Sequence, residues 1–452
     1  MLFHKFVVIG SGQTGLMLST RLAEAGHDVL LVESSDIGGS YFYSFDEPKK
    51  LLQQEAQSYS TQADIIKQSP SLLKEVHTKI RRNTQQKILG QIKKIKQKLS
   101  KFPNLKIMYG QARFTSKNLL EINSETEKNL VGFEHCLLAT GKGQLSLPSI
   151  SGLSAVDVMY QHNSFFGDKY PQSLAIIGFT PRNLEVAEIY AGLGSQVVIF
   201  EKREPSVILR EIDTTCLNFA IQSLLEKGVE FLFEAEAVRV IARNDKIRVE
   251  DSEAGYHDFD SIYVEAQESF QDNLNLSSIG INSDSRGVSC SNTGQTSQRN
   301  IYALGQCSAT NRPGSYYSNI LNLLEKFGGG DNSKSRALVL MNNVSSFIQG
   351  ELREIPFPIN TITLSQPVST VGLSFRESAS RYGSQVKYEV LTKQDQAGFI
   401  KIIYNEQSGQ LLGSALGGQI CTNLLAIAIN AGLKNWSYRD YRSFLNTLGY
   451  IK

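Results

Sequence analysis

At 452 residues the chain is long enough for roughly two to four domains with buried cores. With 41% hydrophobic and 20% charged residues its composition is that of a globular protein, and a formal net charge of +2 gives no field that would draw it to nucleic acid. No apolar run approaches the ~18 residues of a membrane span.

The chain opens on "KFVVIGSG", a core strand already under way at Lys5, which leaves no room for a secretory leader and makes a cytoplasmic, reducing location the expectation. The longer stretch "FVVIGSGQTGLMLSTRLAEAGHDVLLVE" reads as strand, glycine turn, amphipathic helix and second strand. Gly10 permits the tight turn, Gly12 lets the backbone approach a pyrophosphate, and Gly15 lets helix pack on strand. The helix N-terminus then offers free N–H groups and a positive dipole end. Glu33 ends the second strand, where a carboxylate can accept ribose hydroxyls. It is this context, beyond the glycine spacing, that points to a dinucleotide.

"DIGGSYFYSFDEPKKLL" (Asp36 to Leu52) follows, with the outline of a redox loop but no sulfur. Leu72 to Lys101 is the charge anomaly, with bases running from Lys74 to Lys101 against Glu75 alone. Val76, Ile80, Ile88, Ile92, Ile95 and Leu99 recur at helical spacing and form one apolar stripe. The plain reading is a helix packed on the first domain with a solvated basic face. The alternative is a docking surface for an anionic partner, an acidic protein or a membrane surface.

"SLAIIGFTPRNLEVAEIYAGLGSQVVIFEK" repeats the strand–turn–helix–strand plan, but only Gly178 of the three glycines remains. Thr180 places a Cβ where backbone should meet phosphate, Asn183 crowds the helix–strand contact, and Pro181 removes an N–H. Glu201 can still hold a ribose. Lys202 and Arg203 can meet a 2′-phosphate or serve as plain surface charges. NAD(P) is therefore the doubtful ligand. Cys136, Cys216, Cys290, Cys307 and Cys421 are scattered and odd in number, which argues against a disulfide framework, and no Cys/His spacing fits a metal site.

Further segments fall in a recognisable order: "MYGQARF", "CLLATGKGQLSLPSISG", "TSQRNIYALGQ", "VSTVGLSFRESASRYG" and "GQLLGSALGG". Together with the two glycine turns they resemble, almost end to end, the FAD-containing pyridine nucleotide-disulfide oxidoreductases, the family of glutathione reductase, dihydrolipoamide dehydrogenase and mercuric reductase. The resemblance implies an α/β fold with two Rossmann-like domains and a C-terminal α+β dimerisation domain. It implies an FAD domain over residues 1–149 and 296–355, a degenerate NAD(P)-type domain over 150–295, and a dimerisation domain over 356–452 that forms a homodimer. "TNLLAIAINAGL" (Thr422 to Leu433) supplies an apolar helix for that interface.

By the same resemblance FAD is held by Gly10, Gly12, Gly15, Glu33, Gly39, Ser40, Lys50, Ala112 (whose backbone meets the adenine), Thr140, Gly141, Gly305 and Gln306. Gln306 stands where the family has an Asp against the ribitol; its amide oxygen still accepts a hydrogen bond but brings no charge. Tyr41 and Asp46 stand where the family has its two thiols, and Leu445 and Tyr450 where it has its C-terminal His and Glu. Disulfide exchange needs a thiolate attacking sulfur, so that chemistry is expected to be gone. The aromatics Tyr41, Phe42, Tyr43 and Phe45 either wall off the flavin face or simply fill space.

Lys50 and Glu185 match the family pair beside the flavin N5. There an ammonium stabilises a reduced flavin, or the pair merely ties two domains. Asp46 is a proton donor if burial raises its pKa, or, the reading favoured here, the salt-bridge partner of Lys49 or Lys50. Two functions remain open. One is a diverged FAD oxidoreductase that passes electrons directly between flavin and an unknown partner. The other is a non-catalytic FAD-binding pseudoenzyme with an interaction or regulatory role.

Overall fold

The apolar run Phe6–Ile9 is buried on both faces, as a central strand of a parallel sheet must be. In the computed structural model, which describes residues 1–44, 46–59, 70–160, 163, 165, 170–291, 294–309, 357–392 and 398–450, this run forms β1 (Leu2–Ile9). Helix α1 (Gln13–Glu24) follows, and then the fully buried β2 (Val29–Glu33). Val8 faces Leu31 on one side and Leu137 on the other, so β1 lies between β2 and a distant strand.

That distant strand belongs to a run that begins after two helices joined to the redox-like loop, α2 (Gly39–Tyr43) and α3 (Asp46–Tyr59), and the long α4 (Pro70–Leu99). Strands β3 (Leu105–Tyr109), β4 (Gln111–Ser116), β5 (Leu119–Asn123) and β6 (Lys128–Leu138) complete a sheet of order β3-β2-β1-β6-β5-β4. The second unit repeats the plan with β7 (Ser173–Ile177), α5 (Pro181–Gly192), β8 (Gln196–Glu201), α6 (Thr214–Leu225), β9 (Val229–Phe233) and β10 (Ser261–Val264). Its parallel sheet runs β9-β8-β7-β10 and ends on the short strand Val158–Met159. The chain then returns to the first sheet through β11 (Ile301–Ala303), which pairs with the end of β6. A five-stranded antiparallel sheet over Ile359–Ile362, Val368–Gly372, Val386–Thr392, Gly398–Asn405 and Leu411–Gly418 makes the C-terminal domain.

Helix α4 buries Ile80, Ile88, Ile92 and Leu99 against its neighbours. Its basic side is partly met by carboxylates, with Lys87 bonded to Glu55 at 2.7 Å and Lys96 lying 3.8 Å from Asp36. Among the described residues no helix is long and apolar enough to cross a membrane. The helix Gln419–Leu433 is apolar because it covers its own sheet: Ile420, Leu424, Ala428 and Ile429 are buried there.

The three domains meet at α3. Its Leu52 and Ala56 pack among residues of α5. Lys49 donates from Nζ to Glu185 Oε2 at 2.6 Å, and the backbone N–H of Thr363 donates to Glu185 Oε1 at 2.9 Å. One turn on, Gln53 donates to Glu188 and to the Thr363 carbonyl, both at 2.9 Å. Glu188 also accepts from Ser365, and from Lys227 of the second unit.

This corrects one expectation. The partner of Glu185 is Lys49, not Lys50. Around a continuous helix adjacent residues point about 100° apart, and Lys49 shares the buried face with Leu52, Gln53 and Ala56. Breaking a buried pair by removing one partner leaves an uncompensated charge. Lys49→Met is therefore expected to lower stability by about 3 kcal/mol, read as a depressed thermal midpoint. The exposed Lys50, changed to Met, should shift it by no more than about 0.5 kcal/mol. Equal losses at both positions would refute the assignment.

Candidate functional site

The first glycine turn sits at the C-terminal edge of β1. Gly10 has φ +99°, and a Cβ there would lie 2.5 Å from the Ala139 carbonyl oxygen. A Cβ on Gly15 would lie 1.8 Å from the Gly10 oxygen. Both glycines are therefore demanded by the chain's own packing. Gly12 is different: it has ordinary dihedrals, caps α1 with no side chain, and a Cβ on it would meet nothing within 4 Å. The open space lies in front of an uncapped helix N-terminus, which is where an anion binds best.

Glu33 stands beside this turn. Its Oε2 accepts from the Ser11 N–H at 2.8 Å and the Ser11 hydroxyl at 2.6 Å, and its Oε1 accepts from the Ser35 N–H at 2.9 Å. Burial acts to raise the carboxyl pKa, but these hydrogen bonds outweigh it and hold it below the ordinary value of 4.5. The Ser35 and Ser34 hydroxyls reach Oε1 as well, at 3.2 and 3.4 Å, so about four lone-pair sites are already met and a ribose hydroxyl would enter by displacing a serine hydroxyl.

The other sequence-predicted residues converge on the same edge. Gly39 begins α2, and Gly38 donates its N–H to Ser11. Ser40 is exposed on the first turn of that helix. Thr140 and Gly141 lie one residue beyond the end of β6, and Gly305 and Gln306 one residue beyond the end of β11, whose Ala303 pairs with Leu138. Gln306 is exposed. Ala112 is buried on β4, two residues past Gly110, whose N–H bonds the Glu33 carbonyl at 2.8 Å. In an open parallel sheet the crevice beyond these strand ends is the ligand site. Phe45 and the residues from 310 to 356, among them the loop-like stretches "SATNRPGSYYSN" (from Thr310 on) and "FGGGDNSKSR" and the end of the first domain, lie outside the described residues.

The redox-like loop holds no thiol. Tyr41 accepts from Lys50 Nζ at 2.8 Å and donates to Glu47 Oε2 at 3.2 Å, and Gln91 steadies the far oxygen of Glu47 at 2.8 Å. Burial pushes the Tyr41 phenol up, against the pull of the Lys50 hydrogen bond and charge. Burial acts to lower Lys50, but the hydrogen bond to Tyr41 and the charges of Tyr41, Glu47 and Asp46 outweigh it and raise it. At neutral pH the pair is an ammonium donating to a protonated phenol. This Tyr41–Lys50–Glu47 cluster was not foreseen; its signal was Tyr41 at the thiol position, followed by Glu47 and Lys50 at helical spacing. Asp46 is a second correction. It is exposed on the first turn of α3, where a helix N-terminus favours an acid, and it forms no ion pair with Lys49 or Lys50 among the described residues. All five cysteines are free, and all but Cys290 are buried.

At the far end, Leu445 is fully buried in the C-terminal core and Tyr450 packs against it. No histidine follows His257. The second glycine turn is built differently from the first. Thr180 caps α5 with its own hydroxyl, accepting from the Asn183 N–H at 3.1 Å. Asn183 donates its amide to the carbonyls of Ile177 and Gly178 at 2.9 and 2.7 Å. Glu201 accepts from the Phe179 N–H at 3.0 Å and from Arg203, while Lys202 pairs with Glu236 at 3.2 Å. The two bases considered for a 2′-phosphate are thus engaged with carboxylates.

The profile of one family, pyridine nucleotide-disulphide oxidoreductase, matches residues 4–321. The chain belongs to this family. A dihydrolipoyl dehydrogenase of Staphylococcus aureus is 25% identical, over 94% of this chain and 90% of that protein. A mercuric reductase of Shewanella putrefaciens is 25% identical over 91% of this chain and 73% of its own length. Among solved structures, the Cu(II) complex of the HOCl-induced flavoprotein disulfide reductase RclA from Escherichia coli has a TM-score of 0.76 at 21% identity, covering 96% of this chain and 94% of that one. The mixed α/β architecture read from the motifs is the one the structure shows.

Because the Glu33 carboxyl is held below its unfolded value, its contribution to stability is fully present above pH 4.5 and fades as pH falls through the folded value. Glu33→Gln keeps one acceptor oxygen and removes the titration. The variant is expected to be less stable than the parent at neutral pH, with the gap narrowing in the acid range. Thermal midpoints measured from pH 7 to pH 3 check this, and a gap independent of pH would overturn it.

Proposed function

We propose that this protein is an FAD-binding flavoprotein that has given up disulfide reduction and passes electrons directly between its flavin and a partner that approaches the Tyr41–Lys50 loop. One observation carries the reading: the open, uncapped α1 N-terminus at Gly12 adjoins a loop in which a phenol and a carboxylate stand at the thiol positions. The turn fits a pyrophosphate, and the loop cannot exchange with sulfur. Gly12, Glu33, Thr140, Gly141, Gly305 and Gln306 would hold FAD, with Gly39, Ser40 and Ala112 alongside. Bound FAD supplies one- and two-electron chemistry that no side chain here provides. Lys50 on α3 keeps a positive charge and Tyr41 a donatable proton, with Asp46 on the first turn of the same helix and Glu185 of α5 tied to Lys49.

A second reading, a non-catalytic flavoprotein acting through its surface, is favoured by the Lys49–Glu185 bond, which serves as an inter-domain tie. The two readings part on one measurement: reoxidation of the reduced protein by a quinone or by oxygen. Rates no different from free flavin would leave the second standing. The free cysteines suit a reducing compartment, and we place the protein in the cytoplasm on that ground.

The full chain is expected to purify with about one FAD per polypeptide. It should show background turnover with glutathione disulfide, dihydrolipoamide and mercuric ion. Gly12→Ala should fold normally yet bind FAD at least about tenfold more weakly, because its methyl enters the phosphate space and touches nothing else. A colourless protein that FAD does not reconstitute, or turnover of any of the three substrates, would defeat the proposal.

We also propose a homodimer through the C-terminal domain. Its apolar helix is spent on its own sheet, so the face is sought at Phe444 and Leu448, which are 38% and 44% exposed. Obligate interfaces bury more than ~2,000 Å². Light scattering at micromolar concentration should give two chains, and Leu448→Asp should shift the population toward one. A monomeric parent would overturn this.

A further inference from the structure

We infer that the second dinucleotide unit does not seat a nicotinamide dinucleotide, because its phosphate seat is filled by the chain's own side chains and rimmed with carboxylates. An electron donor to this protein is then something other than NADH or NADPH bound at this unit.

The two units share a register that lets them be compared position by position. In the first sheet Ile9 pairs with Leu138, and the next residue is Ala139, whose carbonyl lies against Gly10. In the second, Ile177 pairs with Val264, and the next residue is Glu265. A small apolar side chain beside the first seat is thus replaced by an acid beside the second. Glu265 Oε2 accepts from the Thr180 hydroxyl at 2.5 Å, and its Oε1 accepts from Arg182 at 2.9 Å. Glu268 adds a second carboxylate 3.5 Å from Arg182.

The seat itself is also closed. Gly12 leaves the α1 terminus bare, whereas Thr180 satisfies the Asn183 N–H from within, and Pro181 has no N–H to offer. The third glycine of the first turn permits helix and strand to touch. Its counterpart Asn183 instead hydrogen-bonds the Gly178 carbonyl across that contact. Arg182, the cation at the rim, is held by two acids, so it has little charge to lend a pyrophosphate. A pyrophosphate would bring its negative charge beside Glu265 and displace the Thr180 cap, and both changes oppose binding. Glu201 still braces the turn through the Phe179 N–H, as Glu33 does through Ser11. The scaffold thus persists without needing the ligand.

Calorimetric titration of NADH and of NADPH into the full-length protein, with FAD in excess so that the first turn is not available, tests this without any assay of activity. The expected result is no saturable binding up to ~1 mM. Glu265→Gln with Glu268→Gln removes both charges while keeping acceptors, and should bring measurable affinity for at least one nucleotide. Adding Thr180→Gly and Asn183→Gly should strengthen it by about tenfold more. If the fourfold variant is misfolded by circular dichroism, the double variant alone carries the comparison. Binding by the parent with Kd below ~100 μM would overturn the inference, as would a well-folded double variant with no gain. Flavin content, read from visible absorbance, is a separate result, so a colourless protein would defeat the flavin proposal and leave this one intact.

Discussion

The contact between Lys49, Glu185 and the Thr363 N–H is the constraint on which the rest of the arrangement turns. It joins α3 of the first unit to α5 of the second and to the C-terminal domain in one buried polar node. Water is excluded there, so each charge must be answered by a partner of fixed position. Each domain's place is thereby set relative to α3, and α3 is continuous with the loop that carries Tyr41.

The family's chemistry normally needs both glycine turns and a pair of thiols. Here the two turns have parted company. The first keeps an open, uncapped terminus, and the second is built as a self-sufficient structural corner. Residues that a ligand would require have been replaced, while residues that hold the Rossmann turn upright, such as Glu201, have stayed. If the second turn seats no nucleotide, as inferred above, its packing alone is enough to hold the fold.

Much of this was legible in the sequence. The glycine spacing, Glu33 and the order of motifs led to the architecture, because parallel βαβ units impose strong local signatures. The loop without sulfur was visible for the same reason: an absent residue type needs no geometry to be noticed. Which lysine meets Glu185 was not visible by matching positions, since Lys49 and Lys50 are neighbours in sequence but point about 100° apart on a helix. The stripe Lys49, Leu52, Gln53, Ala56 held that answer. Nor was Glu265 legible, because its reach to Thr180 depends on strand pairing between segments about 85 residues apart. The apolar helix near the end was read as an interface when it serves its own sheet; hydrophobicity says that a face is covered, not by what.

One short strand has a temporal meaning. β11 completes the first sheet beside the end of β6, yet the whole second unit lies between them in the chain. At roughly 5–20 residues per second of synthesis, on the order of ten seconds or more separate the emergence of Leu138 from that of Ile301. During that interval the C-terminal half of β6 has a parallel neighbour on one side only. The nascent first domain therefore waits on the ribosome with an open edge, and the second unit, whose strands are contiguous, is free to finish first. A chain cut short before Ile301 would keep that edge for good, and an exposed apolar edge is what draws strands of other molecules to pair.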